Sequence, residues 1–269
     1  MGNALACDQH QGFNAFVNPA LLSKTKNLEI GSSYFLMSLD RYVQAFSITR
    51  NLSSFGGASL SYFESGVSNI QGTNFNNEPT GSFDSKNSYL MFSFGSKILE
   101  DLFIGVNFKA LYSSLGTENA SGFGGDVGLI YNFSNNLSYA MIIKNIFSSN
   151  KWENAYLSDK LPQINSLAAR FKINENIRVH SMIDYVNPAG LDVYRLKNGL
   201  EWDREDYSLR LGLIQSSGQF SNQSFDVRLL MGFGMDITLL ESNKIRLDYC
   251  IDFGSVNEGI SNLVSLSIK

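Results

Sequence analysis

Apolar side chains recur at every second position along most of the 269 residues, and helical spacing is scarce. Between 102 and 112 the even positions are Leu102, Ile104, Val106, Phe108, Ala110 and Tyr112, with Gly105, Asn107 and Lys109 standing between them. The pattern returns as Val127, Leu129, Tyr131 and Phe133 against Asp126 and Gly128. It returns as Leu167, Ala169, Phe171 and Ile173 against Arg170 and Lys172, and as Val179, Ile183 and Tyr185 against Arg178, His180 and Asp184. Tyr207, Leu209, Leu211 and Leu213 oppose Arg210; Val227, Leu229, Met231 and Phe233 oppose Asp226 and Arg228; Leu247, Tyr249 and Ile251 oppose Arg246 and Asp248. A period of two sends successive side chains to opposite faces, so each stretch predicts a strand with one greasy and one polar face. Segmenting on this basis predicts fourteen strands, near 27–36, 41–52, 55–64, 84–97, 101–114, 122–133, 137–146, 161–173, 176–188, 194–203, 206–215, 223–236, 242–253 and 259–269.

The connections carry a second signal. Tight turns fall near 51–54, 99–101, 134–136, 174–175, 203–205 and 241–243, and mostly longer loops lie between them, at 65–83, 114–122, 147–160, 188–193 and 216–222. Short turns alternating with long loops is the pattern of an outer-membrane barrel, and an even strand number brings both termini to the periplasmic side. The fold expected is therefore all-β: a fourteen-stranded antiparallel up-and-down transmembrane β-barrel over 27–269, with residues 1–26 as an N-terminal plug-like segment. A soluble sandwich, which would bury the same apolar faces between two sheets, is the rival.

Composition narrows the choice. Charged residues are 17% of the chain, against about 25% in soluble domains, and 20 Phe and 12 Tyr exclude a disordered chain. A net charge of −4 argues against a nucleic-acid surface. Two cysteines, Cys7 and Cys250, exclude a disulfide scaffold, and two histidines, His10 and His180, argue against a His-rich catalytic or metal centre. No stretch is long and apolar enough for a transmembrane helix. The opening Met1–Cys7 lacks the basic and apolar regions of a secretory signal, so the chain reads as cytosolic or as a mature chain with a replacement Met.

The polar phase collects Lys109, Lys144, Arg170, Lys172, Arg178, Lys197, Arg210, Arg228 and Arg246 with Asp126, Asp184, Glu201, Asp226, Asp236, Asp248 and Asp252. In a membrane barrel these line the lumen, and so even a balance of signs suits a filled or plugged barrel better than an open ion-selective pore. The acids read as partners in ion pairs, and His180 reads as structural. Gly122–Asp126 opens no helix, so it is no phosphate loop; glycines in a barrel strand permit close packing or a bend. With no Ser-His-Asp order and no metal-ligand spacing, the expectation is a non-enzyme without cofactor or metal.

Two resemblances add to this reading. Asn18-Pro19-Ala20, followed by Leu21 and Leu22 just before the first strand, resembles the N-terminal segment of the FadL-like superfamily of outer-membrane proteins, which implies a plug or hatch in the lumen. Within that superfamily the chain resembles the PorV/PorQ family, through Gly66-Val67-Ser68, Thr80-Gly81-Ser82-Phe83-Asp84, Leu102–Tyr112, Gly122–Tyr131, Arg246-Leu247-Asp248-Tyr249 and Val264–Lys269, in that order. It departs at its end, Lys269, where such barrels usually finish on an aromatic residue. The resemblance implies location in the bacterial outer membrane, in contact with its lipid, and an accessory role in type IX secretion. The partners would be secreted cargo and the translocon or attachment complex, bound by loops and rim. Phe75, Phe83, Trp152 and Tyr156 in the loops 65–83 and 147–160 are the docking candidates, their other reading being aromatic girdle and loop packing. The alternative is a FadL-type channel for hydrophobic small molecules, in which loops collect the ligand and the hatch shifts to open a lateral path.

Overall fold

A computed structural model describes residues 4–153, 158–188, 191–217, 226–239, 243–254 and 258–268. Its strands run β1 (Glu29–Leu36), β2 (Arg41–Asn51), β3 (Gly57–Thr73), β4 (Pro79–Leu99), β5 (Leu102–Leu115), β6 (Glu118–Asn132), β7 (Leu137–Lys144), β8 (Ser149–Trp152), β9 (Ser158–Asp159), β10 (Ile164–Lys172), β11 (Ile177–Val186), β12 (Val193–Arg204), β13 (Tyr207–Ser217), β14 (Asp226–Leu239), β15 (Asn243–Asp252) and β16 (Ser261–Ile268). All pairings are antiparallel. β1 pairs with β16, β5 with β6 and β7 with β10, so fourteen strands close into a ring and β8 and β9 stand outside it. Closure removes the sheet edges, which hydrocarbon could not hydrogen-bond.

The outer face is apolar. Leu60, Leu90, Phe92, Phe108, Leu167, Leu211, Leu229, Met231 and Val264 are all more than half exposed or close to it. No second sheet covers them, which removes the sandwich. Exposed aromatics gather toward the two rims: Tyr34, Tyr112, Tyr194 and Tyr249 on one side, Tyr131, Phe133, Tyr139, Trp202 and Tyr207 on the other. Tyr194 and Trp202 bound the apolar stretch of β12. At about 3.3 Å per residue and a strand tilt of about 40°, they stand about 20 Å apart along the barrel axis, close to the apolar band of a membrane barrel. Within the outer ring of tyrosines, the Glu64 carboxylate accepts hydrogen bonds from Tyr42 (2.8 Å), Tyr62 (2.6 Å) and Gln44 (3.0 Å), so it meets no lipid unpartnered.

Two of the expected long loops are largely strand. β3 and β4 continue as a paired hairpin to Thr73 and Pro79, with a bulge between Val67 and Ile70. After a break at 145–148 the chain resumes as β8, which pairs with the upper part of β6 and then with β9. Phe83 therefore lies on β4 and Trp152 on β8 rather than in loops, whereas Phe75 is fully exposed in the turn. Beyond the rim both faces of a strand meet water, so the alternation that marks a strand inside the membrane fades from the sequence. Tyr156 lies outside the described residues.

The hydrophobic core lies in the lumen, and the N-terminal segment supplies it. Ala4, Ala6, Cys7, Ala20 and Leu21 pack on Phe103, Ile130, Ala140, Ile142, Ala168 and Met182; Ala15 and Leu22 pack on Met91 beside Phe16 and Tyr89. The segment folds as a short helix α1 (Asn14–Val17) and a 3₁₀ turn, Pro19–Lys24. Asn18 starts that turn: its side chain accepts from the Ala20 amide (3.0 Å) and donates to the Ala6 carbonyl (3.0 Å), while Pro19 occupies the first helical position, where its missing N–H costs nothing.

The seat of this turn is a row of glycines. Gly57, Gly95, Gly105 and Gly128 lie in register across β3, β4, β5 and β6. A Cβ on Gly57 would overlap the Leu22 carbonyl; on Gly95 or Gly105, the Pro19 carbonyl; on Gly128, the Asn18 side chain. Four side-chain-free positions in a line let the turn's backbone lie directly on the wall. The variant Gly105→Val is expected to unseat the turn: the strand signal in circular dichroism stays, unfolding stability falls by about 1–3 kcal/mol as for overpacked cores, and protease reaches residues before Glu29.

Candidate functional site

The inward face holds what the outer face lacks. Lys109, Asp126, Arg170, Arg178, Asp184, Arg210, Asp226, Arg228, Arg246 and Asp248 all lie on the strand phase opposite the exposed apolar residues. Most are paired. Lys109 Nζ meets Asp126 Oδ1 at 2.7 Å with both side chains nearly dry, and Asp126 also accepts from Asn107 (2.8 Å) and from the Asn145 amide (3.0 Å). Lys197 Nζ meets Asp184 at 2.6 Å. From Arg178 a chain of pairs runs across the wall. Arg178 holds Asp203 and Glu201 (3.0 Å), Arg210 joins Glu201 (2.7 Å) to Asp248 (2.5 Å), and Arg246 joins Asp248 to Asp236, each at 3.1 Å. Arg228 holds Asp252 at 2.6 Å. Asp226 is half-buried at the start of β14, opposite Ser216.

These pairs divide the lumen. The N-terminal segment fills the side lined by β1–β7, β10 and β11, and the ion-pair chain covers β11–β15. The two meet at Asp8, whose Oδ1 takes Arg170 at 2.9 Å while Oδ2 stands 3.7 Å from both Arg178 and His180. Elsewhere the segment is tied through its backbone: Lys144 Nζ donates to the Phe16 carbonyl (2.9 Å), Asn107 to the Ala15 carbonyl (3.1 Å), and the Gly12 amide donates to Glu29 (2.9 Å). Bonds to backbone carbonyls satisfy groups that would otherwise be buried without partners.

Burial sets the charge state of the segment's own groups. It pushes the Cys7 thiol up to about 12, with Asp8 adding to the effect, so the sulfur is an inert core atom. It pushes His10 down to about 4, so the ring is neutral at physiological pH. Lys24 is likewise pushed down, by burial first and Arg170 second, and its ammonium lies 4.9 Å over the Phe103 ring. Cys7 and Cys250 are both free.

Two features had only a partial sequence signal. Gly122, Gly124 and Gly125 receive residues 147–149, not the N-terminal segment. The turn's true seat is the row Gly57, Gly95, Gly105 and Gly128, whose members recur on the polar phase but whose alignment depends on register. Sequence spacing offers no metal motif, yet the fold brings Asp8, His180 and Glu201 together, with ligand atoms within 4.8 Å of one another.

On the aromatic side of the lumen, Phe63 stacks on Tyr89 at 4.8 Å between centroids and leans on Phe16, which leans on Phe13. This cluster lies just inside the bulged part of β3. Strand pairing is irregular at two places near the segment: the β3 bulge, where the register shifts between Val67 and Ile70, and the break between β7 and β8, opposite residues 124–126 of β6.

No protein-family profile matches the chain, and no curated protein matches it by sequence. Solved structures do resemble it in fold. A structure described as the CymD monoaromatic hydrocarbon channel overlaps 98% of this chain and 93% of its own, with a TM-score of 0.71 at 11% identity. A Pseudomonas aeruginosa FadL homologue overlaps 99% and 95%, at 0.67 and 9%. The Pseudomonas putida toluene transporter TodX overlaps 100% and 96%, at 0.64 and 11%. At such identities the likeness is one of architecture.

The buried pair on β5 and β6 has a measurable consequence. Asp126→Ala leaves the Lys109 ammonium desolvated and removes the acceptor of the Asn145 amide, so it is expected to cost about 3–5 kcal/mol in urea unfolding. Replacing both residues, as Lys109→Met with Asp126→Leu, should cost clearly less than the single change.

Proposed function

We propose that this barrel lies in a bacterial outer membrane and passes hydrophobic small molecules, with the N-terminal segment as a displaceable hatch. The observation that carries the reading is the way the lumen is filled. Among the described residues the segment pairs with no strand, and no disulfide joins it to the wall; it rests on a glycine floor and is tied by hydrogen bonds and ion pairs, so moving it breaks no strand pairing. An aromatic cluster, Phe13, Phe16, Phe63 and Tyr89, lies beside it and suits an apolar ligand. The irregular pairing at the β3 bulge and at the β7–β8 break marks the places where a sideways exit would form once the segment moves. The resemblance in fold to hydrocarbon channels supports the same reading.

A second reading, that of a PorV/PorQ-like accessory of type IX secretion, draws on other features. The outer β3–β4 hairpin presents a fully exposed Phe75, Trp152 stands on β8 with its indole N–H bonded to Asp159 (2.7 Å), and the charged lumen needs no traffic through it. In that reading secreted cargo and the translocon or attachment complex dock on the outer hairpins.

Cells making the barrel are expected to take up a labelled monoaromatic hydrocarbon such as toluene several-fold faster than cells lacking it. Equal uptake, together with recovery of secreted proteins on the purified barrel, would favour docking instead. The hatch also has a direct reporter. In the variant Cys250→Ser the remaining thiol, Cys7, should resist maleimide in the folded barrel and react at least ten-fold faster when toluene is added; unchanged protection would count against a moving hatch.

A further inference from the structure

The two histidines of the chain, His10 and His180, are 170 residues apart in sequence, yet both sit at the junction between the N-terminal segment and the ion-pair chain. His180 is fully buried on β11, and neither ring nitrogen has a hydrogen-bond partner among the described residues. Nor has Asp8 Oδ2 or His10 Nε2. Buried polar atoms left this way are costly, and a cluster of them asks for an explanation.

The geometry supplies one. His180 Nε2 faces Asp8 Oδ2 at 3.7 Å and Glu201 Oε2 at 3.9 Å. Both separations are too long for hydrogen bonds. They are close to the spacing of donor atoms around a tetrahedral ion with bonds of about 2.0–2.2 Å, which is about 3.3–3.6 Å. All three ligand atoms lie within 4.8 Å of one another, so carboxylate adjustments of up to about 1 Å would bring them onto one ion of that geometry. We infer that Asp8 Oδ2, His180 Nε2 and Glu201 Oε2 form a site for one divalent transition metal of the zinc class. One imidazole with two carboxylates is a ligand set such ions accept.

The surrounding cations are compatible with this. Arg170 bonds the other oxygen of Asp8, Oδ1 (2.9 Å), and Arg210 bonds the other oxygen of Glu201, Oε1 (2.7 Å); each thereby orients its carboxylate. Arg178 is the competitor, bonding Glu201 Oε2 at 3.0 Å and lying 3.7 Å from Asp8 Oδ2. It also holds Asp203, and this partner remains to it when Glu201 Oε2 turns to the ion. Because Asp8 belongs to the N-terminal segment and the other ligands to β11 and β12, a bound ion fastens the segment to the wall. The inference goes beyond the proposed function and does not depend on what the barrel passes.

The test uses the full-length barrel folded in detergent and stripped with EDTA. Titration with Co²⁺ alone should give saturable visible absorption bands of low-coordinate cobalt, and elemental analysis after Zn²⁺ loading should give one zinc per chain. Asp8→Asn and His180→Gln should each weaken binding at least ten-fold, whereas Cys7→Ser should bind like the wild type. Zinc should raise the melting temperature of the wild type and not of His180→Gln. Absence of saturable one-to-one binding by the wild type overturns the inference whether or not any variant folds. Wild-type affinity in folded His180→Gln overturns it equally.

Discussion

Contact between bare backbones holds the interior of this barrel together. The turn Asn18–Leu22 lies on Gly57, Gly95, Gly105 and Gly128, one glycine from each of four neighbouring strands. A closed barrel of fourteen strands is too wide for its own side chains to fill, and its outward face must stay apolar for hydrocarbon. The core therefore has to come from elsewhere in the chain. Residues 4–25 provide it, and the glycine row sets how closely they approach. Once they are seated, Ala4, Ala6, Cys7 and Leu21 become core residues, and Lys144 and Asn107 find carbonyls to bond.

The opposite half of the lumen solves the same filling problem with charge. Arg178, Glu201, Arg210, Asp248, Arg246 and Asp236 form a continuous run in which each ion has an opposite neighbour. Such pairs gain little over apolar packing but are costly to break singly, so they stiffen the wall that faces the segment. The segment and the charged half of the lumen meet at Asp8 and Arg170. In the proposed hatch, that junction is where a ligand or an ion would shift the balance between a seated and a displaced segment.

The membrane part of the fold was readable because two solvents imprint it. Lipid outside and charge inside write a period of two into β5, β10, β11 and β13, and Leu102–Tyr112 alone nearly defines a strand. The pattern fades above the rim, where both faces are wet. This is why β3 and β4 run well past residues 64 and 84, and why β8 was hidden in a loop. The inward phase of the charges could also be read from alternation. Their partners could not, since Arg210 reaches Asp248 through a register that no local pattern encodes. Asn18-Pro19-Ala20 marked the turn, but the four glycines that receive it are spread over 71 positions and align only once the strands pair. The meeting of Asp8 with His180 and Glu201 is of the same long-range kind.

In the proposed function the N-terminal segment is an ordered filler that leaves its seat when an apolar ligand arrives. Hydrogen exchange of the amides of residues 13–22, in the barrel folded in bilayers, tests this most directly. The account predicts protection comparable to the strands in the resting barrel and loss of that protection, with the strands unchanged, when an aromatic hydrocarbon is added. Amides that exchange within seconds in the resting state, or that stay protected at every ligand concentration, would contradict it.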